Sequence, residues 1–101
     1  MSHKNRLDKF KAILHEQLPV LEKQYHVANL EVFGSYVRHE EKTNSDLDVL
    51  VTFNKAPSLL KFIRLENQLS DALGVKVDLV LKDSLKPAIG KRILSEAESV
   101  L

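Results

Sequence analysis

The feature that most constrains the fold is a pair of aspartates at the start of an apolar run. Ser45-Asp46-Leu47-Asp48 leads from a polar loop into the apolar residues 49–53. Side chains alternate between two faces in an extended segment, so Asp46 and Asp48 share one face and Leu47 lies on the other. At about 3.3 Å per residue, the two acids are about 6.5 Å apart along the backbone. We therefore predict a strand over residues 46–53, with one buried face and one acidic face.

Two like charges at the mouth of an apolar strand are costly, because each raises the pKa of the other. At about 4 Å their repulsion is about 4 kcal/mol at an effective dielectric near 20. A divalent cation bound by Asp46 and Asp48 would remove this cost. The alternative is that Asp46 caps a turn and Asp48 points to water.

A turn suited to an anion precedes this strand. Residues 27–33 are rich in β-formers and predict a first strand, which stops at Gly34 and is expected to neighbour the second. Ser35 can cap a helical turn that includes Arg38, and free backbone N–H groups at such a turn suit a phosphate. Arg38 can add a bidentate contact. Taken separately, Gly-Ser is a common end to a strand, and an arginine is more often part of a surface ion pair.

A third aspartate lies within another apolar segment. Residues 75–81 alternate as a third strand and place Asp78 on the face opposite Val77. We expect this carboxylate to need a partner, because an unpaired buried charge costs several kcal/mol. The partner is either a cation shared with Asp46 and Asp48, or a salt bridge to Lys76 or Arg64.

Apolar spacing also predicts the helices. A first helix covers residues 4 to about 17, and Pro19 either kinks it or begins a second helix. Another helix covers Leu59 to about Leu73 and ends at Gly74. The last helix has Pro87 in its first turn and a cap at Asp83 or Ser84. The residues expected on the apolar sides of the last two helices are Leu59, Phe62, Ile63, Leu65, Leu69, Leu73, Ile89, Ile93, Leu94, Ala97, Val100 and Leu101.

Size and charge narrow the possible functions. The chain of 101 residues suffices for one domain, which we expect to span residues 1–101. A net charge of +1 provides no overall field toward nucleic acid or a lipid surface, so we expect neither as a direct partner. The chain has no cysteine, no apolar leader and no run long enough to span a membrane, and we expect a cytoplasmic protein.

Together these motifs resemble those of the minimal nucleotidyltransferases of the DNA polymerase β superfamily. The resemblance rests on Gly34-Ser35-x-x-Arg38, on Ser45-Asp46-x-Asp48 and on Asp78 in a Val-Asp-Leu-Val strand. It extends to the Leu-Pro break of the first helix and to Ile93-Leu94-x-Glu96-Ala97. One departure is that Val37-Arg38-His39 stands where the family commonly has Ala-Arg-Gly.

The resemblance implies an α+β fold with a small mixed or antiparallel sheet of three to four strands flanked by helices. It implies that Asp46, Asp48 and Asp78 are catalytic and hold Mg²⁺. Gly34, Ser35 and Arg38 would bind the phosphates of ATP, and Ser45 would fix the turn that aims Asp46.

By the same resemblance, the reaction is transfer of AMP from ATP to a hydroxyl. The acceptor would be a tyrosine of a HEPN-type toxin that this protein silences as an antitoxin, within a homodimer or a hetero-oligomer. Alternatives are a vestigial binding module that blocks its partner by contact, and nucleotidyl transfer to a small molecule.

An EF-hand is excluded because Val49 and Lys55 stand where that loop needs glycine and glutamate. The histidines show no zinc-ligand spacing.

Overall fold

The computed structural model describes residues 6–101. The helices are α1 (Arg6–Tyr25), α2 (Leu59–Leu73) and α3 (Pro87–Glu96). The strands are β1 (Val27–Phe33), β2 (Leu47–Phe53), β3 (Val77–Leu81) and β4 (Glu98–Ser99), and a 3-10 turn (Lys82–Ser84) follows β3. Met1 to Asn5, which include the start of the predicted first helix, lie outside the described residues.

The four strands form one mixed sheet in the order β3-β2-β1-β4. β1 pairs antiparallel with both β2 and β4, and β2 pairs parallel with β3. Since α2 connects the two parallel strands, this part of the chain is a βαβ unit. The predicted α+β class with a small mixed sheet is confirmed.

One face of the sheet packs on α1 and α2 and forms the main core. Leu47, Val49 and Val51 point into this core from β2, as the alternation predicted. They pack with buried leucines of the two helices, such as Leu14 and Leu65. Residues that alternate with them point to the opposite face, where Asp48 lies.

α1 is a single helix through Pro19, so no second helix begins there. A proline inside a helix removes one backbone hydrogen bond. The buried Leu18 and Leu21 on either side of it keep the helix on the core. Packing of α1 on residues that are distant in the sequence therefore keeps it as one helix through Pro19.

The second helix has the predicted bounds and ends at Gly74 as predicted, and Ser58 is its N-cap. The Ser58 side chain accepts a hydrogen bond from the Lys61 N–H at 3.2 Å. Gly74, at φ +69°, donates its N–H to the Ser70 carbonyl. The predicted apolar stripe was partly wrong, because its N-terminal members Leu59 and Ile63 are exposed.

Three other expectations need correction. The third strand begins at Val77 rather than at residue 75. The last helix has Lys86 at its N-cap position without a side-chain cap, since Asp83 and Ser84 belong to the preceding 3-10 turn. Of the predicted apolar side of that helix, Ile89, Leu94 and Leu101 are exposed, whereas Val100 is buried.

The chain after α3 returns to the sheet. β4 is only two residues long and was not predicted. Beyond it, the Val100 N–H donates to the Leu30 carbonyl at 3.1 Å, and Nδ1 of His15 lies 2.8 Å from the Val100 carbonyl oxygen. These contacts anchor the chain that follows α3 to β1 and α1.

Candidate active site

The three predicted acids come from the same end of the two parallel strands. Asp48 in β2 lies directly opposite Asp78 in β3 in the parallel register. Residues paired in this way point to the same face of a sheet. Asp46 immediately precedes β2, two residues before Asp48. Asp48 and Asp78 therefore share the face opposite the main core, and Asp46 lies just before β2 at the same end of the sheet.

The electrostatics of this edge centre on Asp48. Partial burial, followed by the nearby charges of Asp78 and Asp46, raises the pKa of the Asp48 carboxyl to about 6. The charge of Arg38 opposes this shift. Asp48 is therefore an acid whose ionised form lacks sufficient compensation from the protein, as the sequence predicted for paired acids.

Asp78 differs from the expectation in one respect. Its side chain is exposed, so the cost of a buried unpaired charge does not apply to it. The proposed salt bridge with Lys76 is not observed either, because the Lys76 ammonium lies 3.9 Å from Oδ2 of Asp46. That pair is also exposed, and an ion pair of this kind contributes only about 0–1 kcal/mol.

Gly34 brings the backbone directly against Asp48. It has φ +82°, a conformation that residues with a side chain rarely adopt. A Cβ atom placed on it would lie 2.0 Å from Oδ2 of Asp48. A glycine is therefore required here both by the backbone conformation and by the space that the carboxylate occupies.

The segment after Gly34 forms a single turn. The N–H groups of Val37 and Arg38 both donate to the Gly34 carbonyl, and the Glu40 N–H donates to the Ser35 carbonyl at 2.8 Å. No helix continues from this turn, so the predicted helix start is limited to one turn. His39 ends it at φ +58°, the conformation that glycine adopts most easily.

Ser45 closes the loop before β2. Its Oγ accepts a hydrogen bond from the Lys42 N–H at 2.7 Å. Its carbonyl accepts the hydroxyl of Tyr36 at 3.3 Å, and Tyr36 is itself almost fully buried. Ser45 therefore fixes the approach of the chain to Asp46.

Arg38 is held by two glutamates. Its Nε donates to Oε1 of Glu40 at 2.8 Å, and its Nη1 lies 3.0 and 3.1 Å from the two carboxylate oxygens of Glu96. These hydrogen bonds, first to Glu40 and then to Glu96, raise the pKa of Arg38 above its ordinary value. The guanidinium stays charged and has a defined orientation.

The sequence had assigned no functional role to one side of α3, which borders the site. Ile89, Arg92, Ile93 and Glu96 follow helical spacing and line a cavity of about 310 Å³. The opposite wall is formed by Phe33, Gly34, Arg38 and Asp48. The spacing was readable as a helix face, but nothing in the sequence showed that this face lines a cavity with Asp48.

A preformed metal cage is not part of this arrangement. Within residues 6–101, no three histidine, cysteine, aspartate or glutamate side chains are close enough together to hold an ion. Mg²⁺ commonly takes only one or two protein carboxylates and completes its shell with water and substrate phosphates. The acids and the open cavity beside them suit that mode of binding.

The helices within residues 6–101 include none long and apolar enough to cross a bilayer.

Comparison with known proteins identifies relatives of this chain. The sequence model of the nucleotidyltransferase domain matches residues 7–100. The protein adenylyltransferase MntA of Thermococcus cleftensis is 49% identical over 90 residues, which are 89% of this chain and 91% of the relative.

Solved structures give the same fold. One that is provisionally assigned as a minimal nucleotidyltransferase superposes with a TM-score of 0.74 at 35% identity, covering 96% of this chain and 97% of the other. The MNT antitoxin in complex with a tri-AMPylated HEPN toxin of Shewanella oneidensis gives a TM-score of 0.64 at 18% identity, covering 90% and 71%.

Proposed function

Because the chain belongs to the nucleotidyltransferase domain family, we propose that it transfers AMP from ATP to a tyrosine hydroxyl of a HEPN-type toxin, as the antitoxin of a pair. The observation that carries this proposal is the placement of Asp48 opposite Asp78 on one face, beside the Gly34 turn. Two acids on one face beside a turn that can receive phosphates are what metal-assisted nucleotidyl transfer needs.

Asp46, Asp48 and Asp78 would hold Mg²⁺, which supplies a Lewis acid for the phosphates and lowers the pKa of the attacking hydroxyl. The residues fit this group, because a cation would relieve the repulsion that raises the pKa of Asp48. Asp46 and Asp78 are exposed enough to exchange water for a ligand.

The remaining residues bind and orient the nucleotide. The turn at Gly34 and Ser35 contacts the phosphates, and Arg38 offsets their charge as pyrophosphate leaves. The exposed Asp78 lies toward solvent, where the hydroxyl of a partner protein can reach it. The acceptor hydroxyl gives its proton to a carboxylate of the site, for which Asp78 on the solvent side is placed, and its oxygen attacks the α-phosphorus. The bond from the α-phosphorus to pyrophosphate, which lies in line with the attack, breaks, and pyrophosphate leaves.

The relatives support the acceptor. The Thermococcus relative is named a protein adenylyltransferase, and the Shewanella structure contains an AMPylated HEPN toxin. We place the reaction in the cytoplasm, where ATP is available.

Mass spectrometry of the co-expressed partner tests the proposal. Wild-type protein should add AMP to a partner tyrosine, and Asp46→Ala should abolish the adduct. Asp71→Ala is the matched control, because Asp71 is an exposed aspartate of α2 away from the site. An absent adduct with the wild type, or an adduct unchanged in Asp46→Ala, would refute the proposal.

A contact-only antitoxin is the second candidate. It is favoured by the exposed apolar side chains of Ile89 and Leu94 on α3, which a partner could cover. Under this alternative, a variant with Asp46, Asp48 and Asp78 all changed to Asn still neutralises the toxin. Under the proposed function, the same variant fails to neutralise it.

A further inference from the structure

The Glu96 carboxylate links α3 to the phosphate-binding turn. We propose that Glu96 is a positioning residue of the nucleotide site, which holds Arg38 and the Gly34 turn in the geometry that receives the triphosphate. This inference rests on the proposed function and adds a residue that acts through Arg38 and Gly34.

The contacts of Glu96 are short and involve charge. Its Oε2 accepts the Gly34 N–H at 2.6 Å and lies 3.0 Å from Nη1 of Arg38, while Oε1 lies 3.1 Å from the same nitrogen. The Glu96 side chain is only 18% exposed. Hydrogen bonds with an ionised partner are about twice as strong as neutral ones, so this link is a firm one.

The guanidinium nitrogen of Arg38 that neither Glu40 nor Glu96 holds indicates that Glu96 positions the arginine for a phosphate and does not block it. Nε is held by Glu40 and Nη1 by Glu96, whereas Nη2 has no hydrogen-bond partner within residues 6–101. Two sides of the guanidinium are therefore fixed, and its third nitrogen remains available to a phosphate. A guanidinium that is already oriented loses less conformational entropy when it binds an anion.

Glu96 also fixes the wall of the cavity. It is the last residue of the α3 stripe that includes Ile89, Arg92 and Ile93. Because its carboxylate is tied to the end of β1, this stripe stays against Phe33 and Asp48. The loss of Glu96 would release both the arginine and the wall that faces it.

The opposite role would be competition. A carboxylate that occupies phosphate-binding donors could act as a stand-in for the nucleotide and hinder its entry. The two roles predict opposite signs. Removal of Glu96 weakens ATP binding if the residue positions Arg38, and strengthens it if the residue competes with phosphate.

Steady-state kinetics with Mg²⁺-ATP and the co-expressed partner separates these roles. We expect Glu96→Ala to raise KM for ATP by about tenfold or more, the effect of losing a charged hydrogen-bond partner. Glu96→Gln should raise KM less than Glu96→Ala does, because its amide oxygen in the place of Oε2 still accepts from both Gly34 and Arg38, whereas the amide nitrogen in the place of Oε1 cannot accept from Arg38.

Glu98→Ala is the matched control. Glu98 lies two residues further along and forms an ion pair with Lys11 at 3.0 Å, outside the site. It reports the effect of loosening the same segment without touching Arg38. We expect its KM for ATP to equal that of the wild type.

A double-mutant cycle tests whether Glu96 acts through Arg38. In an Arg38→Ala background, Glu96→Ala should add less than about a threefold change, because its partner is already absent. If Glu96→Ala does not fold at the assay temperature, Glu96→Asp takes its place, since the shorter side chain cannot reach both partners. Its KM should rise as well.

The failures are distinguishable. A wild-type protein that neither binds nor uses Mg²⁺-ATP would overturn the proposed function and this inference with it. An active wild type whose KM falls in Glu96→Ala, stays unchanged, or changes additively with Arg38→Ala would overturn the role of Glu96 alone.

Discussion

Removal of the charge of Asp48 should stabilise the metal-free protein, and the structure gives the size of the effect. The carboxyl has its pKa raised to about 6 from 3.8 by burial and by Asp78 and Asp46. A shift of about two units corresponds to about 3 kcal/mol. Solvent screens part of it, because Asp48 is only partly buried. We therefore expect Asp48→Asn to gain about 1–2 kcal/mol near neutral pH.

The pH dependence fixes the sign. A carboxyl with a raised pKa in the folded state binds its proton more tightly there than in the unfolded chain. The wild type therefore loses stability as the pH rises from about 4 through about 6. The asparagine variant lacks this loss. The difference between the two should be near zero at about pH 4 and reach its full size above about pH 7.

Urea unfolding in EDTA, followed by circular dichroism, measures this difference. Asp71→Asn is the control, since it removes one negative charge from an exposed site on α2 and should change stability by less than about 0.5 kcal/mol. Added Mg²⁺ should stabilise the wild type and not the Asp48 variant. A loss of more than about 2 kcal/mol in Asp48→Asn would show that Asp48 belongs to a structural network, and would refute this reasoning.

Three further predictions concern the turn and the site. Gly34→Ala and Gly74→Ala both place a side chain at positive φ, at a cost of about 1 kcal/mol, but only the first meets Asp48. Gly34→Ala should therefore lose more stability in urea unfolding and abolish transfer, whereas equal losses would contradict the close approach. His39→Gly should leave stability equal or raise it by up to about 1 kcal/mol, because φ is +58° there, and a loss would show that the imidazole holds the turn. Mg²⁺-ATP should raise the melting temperature of the wild type and not that of the triple asparagine variant, and equal shifts would show that the nucleotide binds elsewhere.

Periodic patterns made most of the fold predictable. β1 and α2 have the predicted bounds, because alternation, helical spacing and the helix end at Gly74 all agree locally. The two-residue β4 carries no period that a sequence could show. The predicted burial was wrong at the ends of the apolar stripes, as at Leu59 and Ile89. The spacing of apolar residues along a helix does not show how far the element packed against that helix extends.

The candidate site was predictable where its chemistry is local. The shared face of Asp46 and Asp48 follows from alternation, whereas the position of Asp48 opposite Asp78 depends on the pairing of two strands and was seen only in the structure. Glu96 was named only as part of the Ile93-Leu94-x-Glu96-Ala97 motif and was given no role, because its partners lie 58 and 62 residues away. A contact between distant segments leaves no mark in the spacing of either one.

The near-contact between Gly34 and Asp48 offers a rule for judging distant copies of this domain. A copy with any larger residue at the first position cannot keep the acid in the same place, since the added methyl and the oxygen would overlap. Substitutions at the positions of Gly34 and Asp48 should therefore occur together in such copies. A homologue that has lost the glycine but retains the aspartate must have a different arrangement of the backbone or of the carboxylate at this contact. Its activity should be tested before it is assumed.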